Sequence, residues 1–133
     1  MAIPQDLRGS RLDAVEELLF APTDEPELRM REAICLRFGA RSLVIEALAS
    51  SSELRISLGN LAAKDRDYLI RNASEEDCFR RCIGKSLRNW WKAHNDQGYA
   101  DVFMIALETT RGLCFAAMNN EVSVLEVAGE QWS

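Results

Sequence analysis

Arg29-Met30-Arg31-Glu32-Ala33-Ile34-Cys35-Leu36-Arg37-Phe38 is the stretch that decides the fold. Met30, Ile34, Leu36 and Phe38 share one face of a two-residue repeat, while Arg29, Arg31 and Arg37 share the other, which is the pattern of a half-buried strand. Gly39-Ala40 then permits a tight reversal into residues 42–49, where Leu43 and Ile45 alternate with Val44 and Glu46. A serine-rich turn leads on to Leu54, Ile56 and Leu58. Three strands in succession read as a meander.

Working outward, residues 100–107 are almost continuously apolar, as a central strand covered on both faces would be. Thr110-Arg111-Gly112 turns the chain into residues 113–118, and Asn119-Asn120, which tolerates positive φ, turns it again into 122–127. These make a second meander. Between the two, residues 59–73 are polar, with Tyr68, Leu69 and Ile70 as the anchors to a core. Ser74 followed by Glu75-Glu76-Asp77 reads as a helix start: a hydroxyl able to cap free amides, then carboxylates at the positive end of the helix dipole. That helix is expected to run to about Ile83 and stop at Gly84, with Cys78, Phe79, Cys82 and Ile83 on one buried stripe. Residues 12–20 fit a short amphipathic helix or a strand, ended either way by Pro22 and Pro26. The expected architecture is α+β: an antiparallel sheet of about six strands in two meanders, with one or two helices packed on it. It is a single domain over residues 1–133, with the first ten residues loose.

At 133 residues, 47% apolar and 28% charged, the chain is sized and composed for one hydrophobic core. No apolar run reaches the roughly 20 residues that cross a bilayer, and the start lacks a signal-peptide layout, so the expected location is the cytoplasm. Four cysteines sit among apolar neighbours without the dense spacing of a disulfide scaffold and read as reduced and structural. A formal charge of −5 works against nucleic-acid binding and suits a basic protein partner.

Catalysis has little to stand on in the sequence. His94 is the only histidine, and no Cys, Ser or acid stands at motif spacing around it. Cys78-x-x-x-Cys82 would be half a metal site, but there is no second Cys/His pair. No cofactor or metal is expected. The arginines Arg29, Arg31, Arg37, Arg41 and Arg55 are interleaved with Glu27, Glu32, Glu46 and Glu53, and cross-strand ion pairing on a solvated face is their expected role.

The most distinctive segment is Trp90-Trp91-Lys92-Ala93-His94-Asn95-Asp96-Gln97-Gly98-Tyr99-Ala100-Asp101. Its bland reading is a structural connection with Trp91 and Tyr99 in the core; its functional reading is a recognition loop whose acids meet basic groups on a partner. This segment resembles a group of small bacterial domains of uncharacterised function, and the size, acidity and meander layout are similar to those of immunity proteins that guard bacteria against polymorphic toxins, including type VI secretion toxins. The resemblance implies a protein that binds a cognate toxin and occludes its active site. The residues expected to meet the basic face of that toxin are Glu75, Glu76, Asp77, Asp96, Tyr99 and Asp101. The alternatives are an adaptor or subunit domain in a bacterial assembly and, third, an enzyme of unrecognised type.

Overall fold

The computed structural model describes residues 3–48, 51, 53–94, 100–109, 111–118 and 120–128. It corrects the expected α+β class: among the described residues 59% are strand, 6% are helical, and no helix reaches seven residues. Nine strands among the described residues form two antiparallel sheets, where about six had been expected. The first five are β1 (Ala14–Phe20), β2 (Met30–Phe38), β3 (Arg41–Leu48), β4 (Glu53–Leu58) and β5 (Tyr68–Asn72), in the order β4-β3-β2-β1-β5. The others are β6 (Leu87–His94), β7 (Ala100–Leu107), β8 (Arg111–Met118) and β9 (Glu121–Ala128), a simple meander in sequence order.

The sheets pack face to face, with β4 over β7 and β2 over β9. Inward side chains from both interleave in one core that includes Val15, Ile34, Leu36 and Ile45 from the larger sheet and Phe103, Ile105, Leu113 and Phe115 from the smaller. Of residues 12–20, Ala14–Phe20 form a strand, β1, which lies between β2 and β5. Residues 3–10, expected to be loose, include a 3-10 turn at Gln5–Leu7 that sets Leu7 in the core at 0% exposure.

The expected helix over 74–83 shrinks to a single turn, α1 (Asp77–Arg80). Ser74 is spent elsewhere: its Oγ accepts a hydrogen bond from the Val15 amide at 2.9 Å. Both ends of the segment are tied to the start of β1, Ala73 N donating to Val15 O at 2.8 Å and Gly84 N to Leu12 O at 2.7 Å. Those anchors are three residues apart, about 10 Å of strand, whereas a ten-residue helix would carry the chain about 15 Å in one direction. One turn, which buries Phe79, followed by Cys82 and a reversal at Gly84 with φ of +85°, is what fits.

The polar stretch before β5 also has a structural role. β4 and β5 are opposite edges of their sheet, so residues 59–67 must cross its entire outer face. Leu61 and Tyr68 pack there on a second small cluster of Leu18, Ala33, Cys35 and Val44. The smaller sheet has no such cover among the described residues. The expectation that β7 is buried on both faces is therefore corrected: Phe103 and Ile105 point into the core, while Val102 and Met104 lie on an outer face that is only partly buried.

Candidate functional site

Two features stand out: a charged cleft at one edge of the sandwich and an apolar outer face. The cleft exists because β2 carries a bulge. Leu18 pairs with Ala33 but Leu19 pairs with Arg31, so Glu32 is an extra residue and the alternation resets. Arg31 therefore turns to the inner face with Ile34, not to the outer face with Arg37 as the unbroken two-residue repeat predicts.

Inside the cleft Arg31 meets Glu17, the one buried charged residue among those described, at 1% exposure. Arg31 Nη1 donates to Glu17 Oε2 at 3.2 Å and to Glu76 Oε2 at 3.1 Å, and its Nε donates to the Val122 carbonyl of β9 at 3.2 Å. Arg71 on β5 donates to the other oxygen of Glu17 through Nε at 3.1 Å and Nη2 at 2.7 Å. Glu121 Oε1 accepts from the Arg31 backbone amide at 3.2 Å. The cleft, about 400 Å³, is also lined by Leu19, Ser123 and Val124. Both oxygens of Glu17 are paired, and the network bolts the larger sheet to β9 and to the segment before α1. The nearby Cys78 thiol, with Sγ 4.0 Å from Glu76 Oε2, is pushed up by burial and then by the Glu76 carboxylate, so it is held as the thiol. Cys82 is pushed up to about 11, chiefly by burial. Among the described residues no group of three His, Cys, Asp or Glu is placed to hold a metal ion, and all four cysteines are free.

The residues expected from the sequence to bind a partner are spread out. Glu76 lies in the cleft on Arg31; Glu75 and Asp77 are exposed beside it, Asp77 paired with Arg80 at 3.1 Å. Asp101 is half-buried on β7, in the other sheet. Asp96 and Tyr99 lie outside the described residues. Arg37 pairs with Glu16 and Arg55 with Glu46 on the outer face of the larger sheet, Arg41 reaches Asp6, and Arg29 donates to backbone carbonyls. On β6 it is Trp90, opposite Ile105, that packs against the core, under the Arg8 guanidinium at 4.8 Å; Trp91 faces outward and is 41% exposed.

The outer face of the smaller sheet is the feature that sequence reasoning missed. The strand register lines up Trp91, Met104, Cys114 and Leu125 in one cross-strand row. One neighbouring row is Ala93, Val102, Ala116 and Ser123; the other is Asn89, Ala106, Gly112 and Val127. None of these twelve positions is charged. Leu125 is 66% exposed, and Met118, at the end of β8, is 56% exposed. A large ridge thus runs between two troughs of mostly small side chains. The signal was present in the alternation of Cys114-Phe115-Ala116-Ala117-Met118 and Val122-Ser123-Val124-Leu125, which is apolar on both faces, but composition alone does not say which face is left uncovered.

No helix among the described residues is long and apolar enough to cross a membrane. No curated protein matches the chain, and no solved structure matches it. The comparisons link it to no immunity protein and to no secretion system. Residues 1–130 match the model of a family of unknown function, DUF6334, and the chain belongs to that family.

Proposed function

We propose that the protein is a binding module that acts in the cytoplasm by docking another polypeptide chain against the outer face of its smaller sheet, and that it carries out no reaction of its own. The observation that carries this reading is the uncharged three-row face with Leu125 two-thirds exposed on its ridge. The largest exposed apolar patch of a folded chain is often the place where something docks. The charged cleft supports the second half: its one buried carboxylate is saturated by two guanidiniums, and its neighbouring thiol is held protonated. A photo-crosslinking residue placed at Leu125 in the cell of origin is expected to trap a protein, and the same residue at Leu69, on exposed β5, is not. Adducts from position 69 alone, or from neither, would overturn the reading.

The immunity-type form, in which the docked chain is a cognate toxin whose active site is covered, is the second reading. Exposed Glu75 and Asp77 on a chain of charge −5 favour it, because such acids steer a basic partner. Glu75→Ala with Asp77→Ala should then slow association with a toxin encoded beside this gene, more at low salt than at high. Equal rates would end that form.

A further inference from the structure

We infer that the occupant of the uncovered face is a second copy of this chain, packed sheet on sheet about a two-fold axis. The inference rests on the reading that this face docks protein; two observations single out a like copy, and a third sets the strength of the contact.

The first is shape. The ridge of Trp91, Met104, Cys114 and Leu125 stands beside the trough of Ala93, Val102, Ala116 and Ser123. A two-fold axis lying in the interface, parallel to the rows and midway between ridge and trough, seats the ridge of each copy in the trough of the other. The match is reciprocal, as an isologous contact requires. The other trough is less open at its end, where Asn89 is held by Arg8 through a 2.9 Å hydrogen bond.

The second is charge. A basic partner drawn by the net charge of −5 needs acids where it lands, and the three rows contain none. Two like copies need the opposite, a contact without charge, so that their mutual repulsion acts only at a distance and through salt.

The third is area, which sets the strength of the contact. About that axis the ridge and the one trough pair with themselves, and four strands about 4.8 Å apart by two rows about 6.8 Å apart give a footprint of roughly 260 Å². Burying it on both copies removes on the order of 600 Å² of accessible surface once side-chain relief is included, below the size of stable interfaces. A weak, reversible dimer is the outcome such an area supports.

Sedimentation equilibrium of the full chain from about 1 to 200 µM, the concentrations at which a modest interface populates its dimer, is expected to show reversible growth from 15.0 kDa to twice that mass. Dissociation should weaken as salt rises from low to high, since screening removes repulsion. Leu125→Glu on the ridge and Ala116→Glu in the trough should each raise the dissociation constant at least about tenfold, whereas Leu69→Glu on the other sheet should leave it unchanged. Circular dichroism of each variant separates lost association from lost fold, and Leu125, being two-thirds exposed, is the substitution least able to unfold the chain. A wild-type chain at 15.0 kDa throughout, or a dimer insensitive to both variants, overturns the inference. The crosslinker at position 125 separates the two failures. An adduct with a different protein, from a monomeric chain, keeps the docking face and removes the second copy; no adduct removes both.

Discussion

Arg31→Met tests whether the charged cleft is a structural clamp. The substitution keeps most of the side-chain volume but removes hydrogen bonds to Glu17, Glu76 and the Val122 carbonyl. Breaking a fully buried ion pair by removing one partner costs about 3–5 kcal/mol. Here Arg71 still holds the other oxygen of Glu17, and the Arg31 and Glu76 side chains are 22% and 38% exposed. The expected loss is therefore smaller, about 2–3 kcal/mol. For a domain of this size, with an m value of about 1.5 kcal/mol/M in urea, the unfolding midpoint should fall by roughly 1.3–2 M at unchanged slope. Arg55→Met is the comparison: its pair with Glu46 is on an exposed face and should be worth at most about 1 kcal/mol. The Glu17→Gln, Arg31→Met cycle, at one fixed protein concentration, should give a coupling of about 1–2 kcal/mol. An Arg31→Met shift no larger than that of Arg55→Met, or a coupling near zero, would refute the clamp.

Arg81 holds the Glu126 carboxyl below its ordinary value through a side-chain hydrogen bond, with Arg111 adding to it. A carboxylate depressed in the folded state contributes stability above its unfolded pKa and loses it as pH falls through the folded one, so Glu126→Gln should cost stability at pH 7 and little at pH 3, measured by thermal unfolding. Cys35 and Cys82 are wholly buried, and burial pushes both thiols up; they should react with a thiol reagent only on unfolding, and fast native modification of either would contradict their placement. Gly39, at φ of +66° in the β2–β3 reversal with open space around a Cβ, should lose about 1 kcal/mol on substitution by Ala through backbone strain alone. A neutral result in urea unfolding would show that the turn can adopt another form.

The strand pattern was legible where alternation was clean. β2, β3 and β4 fall where apolar positions repeat every second residue, β8 and β9 fall between the turn signals that bound them, and Gly39 and Asn120 take the positive φ their residue types allow. Three things were not legible. The helix signal at Ser74-Glu75-Glu76-Asp77 was genuine locally but lost to tertiary ties at Ala73 and Gly84. The side of Arg31 depended on one bulged residue, Glu32, and a single insertion inverts every later assignment along a strand. The apolar run of β7 said that both its faces avoid charge, but not that only one of them is covered by the same chain.

The passage of residues 59–67 across the larger sheet also orders events in time. β1 to β4 are neighbours in sequence and can zip up as successive hairpins, each closing a short loop. β5 has no such local partner: Glu16 must find Asn72 across the whole width of a sheet that must already exist for Leu61 to land on. Its pairing carries the larger loop-closure entropy and comes late. Being also the most exposed strand of its sheet, it is the first to leave, and its amides should exchange with solvent through a partial opening while β2 and β3 remain closed.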